Sequence, residues 1–178
     1  QNHACHNNIL HMLAMGGIIL ATILFQAEGK PMSAVSEIMP ARKAVTLRIL
    51  SMPSAMDAAK LMIAEKIGSV ILLGIDGTPA GIITERDILK KVTALDKKPK
   101  EVAAQDIMSR PLVTVKTFDS IETAAALMAK NRIKRLAVME QDGSLVGVLS
   151  VTDIARKLAR ILTDEYNRYG HLQAILNL

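Results

Sequence analysis

The sequence predicts an α+β fold of α/β-like character: two β-α-β-β-α units packed sheet to sheet around a pseudo-twofold axis. Three observations predict it. A block of eight residues occurs twice: Gly81-Ile82-Ile83-Thr84-Glu85-Arg86-Asp87-Ile88 returns 66 positions later as Gly147-Val148-Leu149-Ser150-Val151-Thr152-Asp153-Ile154. Within each copy, short β-branched runs alternate with apolar residues at helical spacing. A unit of about 60 residues buries too little surface to be comfortable alone, so two copies are expected to pack together.

The elements of the first copy follow in order. Val45-Thr46-Leu47 is a short strand, and it matches Val113-Thr114-Val115 at an offset of 68. Ser54 to Asp57 starts a helix with Ala55, Ala58, Ala59 and Met62 on one face. Val70–Leu73 and Ala80–Ile83 are strands joined at Asp76-Gly77, a hairpin signal. A helix follows from Glu85 to about Leu95, and Asp96-Lys97-Lys98-Pro99-Lys100 reads as a charged linker. In the second copy, Leu112–Val115 is the first strand. Asp119-Ser120-Ile121-Glu122 starts a helix, with a cap and an acid three positions on. Leu136–Met139 and Leu145–Leu149 are strands around Asp142-Gly143, and a last helix runs from about Val151 to Leu162. The units are bounded at residues 31–98 and 99–162. The tail, 163–178, reads as a further amphipathic helix with Tyr166, Tyr169, Leu172 and Ile175 at helical spacing.

Residues 1–30 differ in character. They carry His3, Cys5, His6 and His11 and an apolar run from Met12 to Phe25, shorter than the roughly 20 residues of a spanning helix. Three readings stay open: a hydrophobic helix packing on the body or a partner, an expression remnant, or a membrane anchor. Any membrane association would come through this leader. Its His and Cys lack a carboxylate or a second thiol, so no metal site is expected.

Composition narrows the function. Two Phe, two Tyr and no Trp among 178 residues argue against base-stacking platforms. The single Cys excludes a disulfide framework and asks for no oxidising compartment, so the cytoplasm is the expected location. The net charge of +5 suits an anionic ligand without requiring one. The repeats hold no His, and no phosphate-binding Gly-x-x-x-x-Gly-Lys-Thr loop occurs. No enzyme and no catalytic residue is expected.

The repeated turn, Gly-h-h-Thr/Ser-x-x-Asp with h apolar, supports two readings. Thr84…Asp87 and Ser150…Asp153 both fit a capping box. The same groups suit a nucleotide, with the Asp accepting from a ribose diol and the hydroxyl beside a phosphate. Lys134-Arg135 stands before the central strand of the second copy, where two cations suit a phosphate chain or a solvated basic face. The first copy has Gly68-Ser69 there, so the two clefts should differ.

These residues carry a resemblance. The doubled motif, the Asp-Gly hairpins and the Val-Thr strands resemble a tandem pair of cystathionine-β-synthase (CBS) domains, the Bateman module, over roughly residues 33–162. The resemblance implies a regulatory module that binds AMP, ADP, ATP or S-adenosylmethionine and needs no cofactor. It implies one site from Ser150, Thr152, Asp153, Lys134 and Arg135, completed by Val45, Thr46, Ile67 and Gly68. The other would use Thr84, Arg86, Asp87 and Ser69, completed by Val113, Thr114 and Ile133, with Arg86 as the substitute cation. Adenine would lie between aliphatic side chains such as Val45, Ile67, Val113 and Ile133. Homodimers of two modules and a regulated partner protein are further implications. A scaffold or dimerisation module with degenerate clefts is the alternative. Nucleic-acid binding is disfavoured, because Arg132, Lys134, Arg135, Arg156, Lys157 and Arg160 come without aromatics.

Overall fold

A computed structural model describes residues 33–39 and 44–176. The leader, with its apolar run and its His and Cys group, lies outside the described residues.

The first copy runs β1 (Thr46–Arg48), α1 (Ala55–Ala64), β2 (Ser69–Leu73), β3 (Pro79–Thr84) and α2 (Glu85–Lys91). A four-residue helix, α3 (Ala104–Ile107), lies between α2 and the first strand of the second copy. The second copy runs β4 (Thr114–Lys116), α4 (Ile121–Asn131), β5 (Arg135–Met139), β6 (Leu145–Ser150) and α5 (Val151–Leu176). Each copy has one three-stranded sheet with its second strand central, parallel to the first and antiparallel to the third. The register shifts at Leu72/Leu73 and again at Val138/Met139, the equivalent point. The repeat therefore extends to a β-bulge.

Local chemistry explains most boundaries. Gly77 and Gly143 take φ of +81° and +87°, the left-handed backbone that the Asp-Gly hairpins require. Asp76 and Asp142 accept from the N–H of Thr78 and Ser144, which closes each turn. Ser54 caps α1 in a box with Asp57. In the second copy the cap is Ser120, which accepts from Thr123 N, and Asp119 instead accepts from Lys116 N. Two helices were expected over residues 151–178, but α5 is one continuous helix. No Pro interrupts the run from Leu162 to Thr163, and nothing there ends a helix.

Each copy has a core between its sheet and helices. Ala55, Ala58, Met62, Val70, Leu72 and Ile83 form the first. Val115, Ile121, Ala124, Met128, Leu136, Val138 and Leu149 form the second. Both cores are completed by exchange. Val35, from the stretch of the first unit that precedes β1, is fully buried in the second core. Ala104, Ile107 and Met108, from the stretch of the second unit that precedes β4, lie in the first core. Val35 N donates to Asp119 O, and Ala55 N donates to Val102 O. Neither core is made from one contiguous stretch of chain.

Strand alternation sends Ile71 and Ala137 to the opposite faces of the central strands. Both are fully buried, yet neither belongs to a helix-side core. The two sheets meet through these faces, and Ala44 N donates to Val146 O across the seam.

Candidate functional site

At the β6–α5 turn the chain leaves an edge strand and begins its longest helix. Asp153 Oδ2 accepts from Ser150 N at 2.9 Å, and Ser150 Oγ accepts from Asp153 N at 3.3 Å. The capping box is thus present. It occupies one carboxylate oxygen and leaves Oδ1 facing Arg156 Nη1 at 3.3 Å. The Arg156 side chain is 68% exposed, so this pair is a loose one.

A cavity of about 550 Å³ opens beside this turn, at the seam between the copies. The second copy supplies Val148, Ser150, Thr152, Asp153, Arg135 and Arg156. The first supplies Ala44, Val45, Lys66, Ile67, Gly68 and Ser69. Of the first residue set expected from sequence, Val45, Ile67, Gly68, Arg135, Ser150, Thr152 and Asp153 line this one cavity. Thr46 does not; it lines a neighbouring apolar cavity with Leu73 and Val146. Lys134 is also outside. It is exposed and precedes β5, where its carbonyl accepts from Val151 N. Adjacent residues of an extended chain point to opposite faces, so Lys134 and Arg135 do not share the cleft.

Lys66 and Arg156 were missed. Arg156 is three residues beyond Asp153, one helical turn, and that spacing was available in the sequence. Lys66 sits in a left-handed turn after α1 (φ +53°), which brings its side chain to the seam. Lys66, Arg135 and Arg156 outnumber Asp153 in the lining, so the cleft carries a positive excess.

Gly68 has a specific role. A Cβ there would land on Arg135 Nη2 and 2.8 Å from Glu85 Oε2. The missing side chain lets the Arg135 guanidinium cross from the second copy to the first. Glu85 Oε2 lies 4.0 Å from Arg135 Nη2, an ion pair joining the two copies.

The second residue set is arranged differently. Thr84 and Asp87 form the same capping box, but Asp87 Oδ1 accepts from Ser109 Oγ at 3.0 Å and pairs with Lys91 Nζ at 2.9 Å. Both oxygens are used within the protein. Burial pushes the Asp87 carboxyl up, but hydrogen bonds from Thr84, Lys91 and Ser109 outweigh it and hold it below the ordinary carboxylate range. Ser109 is fixed there by a β-bridge to Ile82. A Cβ on Gly81 would lie 2.7 Å from Met108 Sδ and 3.0 Å from Ser109 O, so only Gly admits this segment. Ser69, expected in the second set, lines the first cavity. Arg86 is exposed. Val113 and Ile133 pack on the second core, and Thr114 pairs with Ala137 in the sheet.

Among the described residues, no cluster of His, Cys, Asp and Glu could hold a metal ion, and no helix is long and apolar enough to cross a membrane.

Comparison with known proteins gives this arrangement a context. The sequence profile of the CBS domain matches residues 50–94 and 104–160, more than half of the chain. The uncharacterized protein MK0525 of Methanopyrus kandleri is 40% identical over 101 residues, covering 57% of this chain and 52% of that protein. The chain spans about half the length of such curated relatives. Among solved structures, the CBS domain protein PAE2072 of Pyrobaculum aerophilum, complexed with AMP, is 28% identical with a TM-score of 0.62. That match covers 68% of this chain and 89% of the other. A hexameric CBS-CP12 protein from bloom-forming cyanobacteria is 36% identical, with a TM-score of 0.63 and 70% of each chain covered. The two matched segments coincide with the two copies of the repeat, and the chain belongs to the CBS-domain family as a tandem pair.

Proposed function

We propose that this chain is a regulatory module that binds an adenosine nucleotide in the first cleft and thereby modulates a partner protein. The observation that carries this reading is the cavity at the seam, where Asp153 from one copy stands among Lys66, Arg135 and Arg156. Its volume of about 550 Å³ falls within the usual range for small-molecule sites. Asp153 Oδ1 accepts from the ribose hydroxyls, and Ser150 and Thr152 stand where a phosphate would lie. Val45 and Ile67 offer aliphatic walls for adenine. The cations favour AMP, ADP or ATP over S-adenosylmethionine, whose sulfonium adds positive charge. The AMP in the Pyrobaculum protein supports the same ligand class.

Binding in a cleft built from both copies couples the ligand to their relative packing. A nucleotide regulates only through different affinities for two arrangements of the pair. The chain's role in this reading is to sense, not to catalyse, as a homodimer of modules in the cytoplasm. The second cleft contributes structure, since Asp87 is spent on Ser109 and Lys91.

Isothermal titration with AMP, ATP and S-adenosylmethionine tests the reading. We expect one site per chain, with the phosphate-bearing ligands tighter, and thermal stabilisation by the same ligands. No heat and no stabilisation at millimolar nucleotide would refute it. Sedimentation with and without nucleotide tests the dimer.

A further inference from the structure

A second cavity, of about 520 Å³, lies on the far side of Arg135. Lys66, Ile67, Gly68 and Arg135 line both cavities, so the two adjoin over the Cα of Gly68. Two side chains face each other over Gly68: Arg135 reaching from β5, and Glu85 from the start of α2. Glu85 lines the second cavity alone. Its side chain is 72% exposed, and at 4.0 Å from Arg135 it is near enough to attract but not to form a hydrogen bond.

We propose that Glu85 sets the length of phosphate chain this cleft accepts. The inference rests on the nucleotide reading above. A monophosphate beside Ser150 and Thr152 stays within the first cavity. A longer chain extends toward Lys66 and Arg135, the cations that line both cavities, and so toward the point over Gly68 where Arg135 faces Glu85. There it meets the carboxylate of Glu85, which repels it and competes for Arg135. Adenosine, with no phosphate, is indifferent to Glu85. The like charge thus penalises ligands in proportion to how far their phosphates extend.

The test is Glu85→Gln, which keeps the shape and removes the charge. One unit charge about 6 Å away through water changes an affinity about threefold. We expect the variant to bind adenosine as the wild type does, AMP about threefold tighter and ATP about tenfold tighter, measured by titration calorimetry at low salt. Thermal melting of the ligand-free variant should match the wild type, because the residue is exposed. Unchanged affinity for ATP, or equal tightening of adenosine, AMP and ATP, would overturn the assignment while leaving the nucleotide site standing. Failure of the wild type to bind any of the three would refute the site itself, and the assignment with it.

Discussion

The two motif aspartates, alike in sequence, should fail in opposite ways when removed. Asp87→Ala deletes acceptors for Thr84 N, Thr84 Oγ1, Ser109 Oγ and Lys91 Nζ, at 2.9, 2.6, 3.0 and 2.9 Å. The side chain is 11% exposed, so little water replaces them. Loss of the cap interaction costs about 1 kcal/mol, and the Ser109 bond about another. Lys91 is too exposed to add more than a few tenths. The sum is roughly 2 kcal/mol, or about 4–8 °C in Tm for a chain of this size. Asp153→Ala loses the same box with Ser150 but only an exposed Arg156 as the further partner. Its cost should be about 1 kcal/mol, or about 2–4 °C. Binding should reverse the order. If Asp153 accepts from the ribose as proposed, Asp153→Ala should weaken AMP by about tenfold or more, while Asp87→Ala should stay within about threefold. Paired thermal melts and AMP titrations on both variants make the comparison. Equal stability losses, or a larger binding loss for Asp87→Ala, would refute the asymmetry drawn from Ser109 and Lys91.

Other consequences follow from the same geometry. Val35→Ala should destabilise by about 1–3 kcal/mol through a cavity in the second core. Hydrogen exchange should then accelerate in β4–β6 more than in β1–β3, although Val35 belongs to the first unit. Gly81→Ala should cost about 1–3 kcal/mol, seen in denaturant melts, because Met108 and Ser109 leave no room for a methyl group. The Asp87 carboxyl, lowered in the folded state, contributes stability that is present above its unfolded value near 4 and is lost as pH falls through the lower folded value. Asp87→Asn should therefore flatten the acid limb of a stability-against-pH curve, and an unchanged limb would contradict the Asp87 network.

What the sequence determined by itself was local. The doubled Gly-to-Asp motif, the Asp-Gly turns and the caps at Ser54, Thr84 and Ser150 each rest on interactions between residues two or three apart. Such contacts repeat wherever the residues repeat, so the two sheets and the tandem family were legible. Arg135, Asp153, Ile67 and Val45 were legible as members of one cleft through the resemblance, and strand alternation would also have separated Lys134 from Arg135. The rest was decided by contacts between residues far apart in the chain. Nothing near Val35 or Ala104 marks them as belonging to the other copy's core; only the packed structure shows the exchange. Nothing near Asp87 reveals that Ser109, brought over by α3 and admitted by Gly81, takes the oxygen that Asp153 keeps available. Two copies of one motif thus have different chemistry, because a motif fixes its own backbone but not what the fold lays against it.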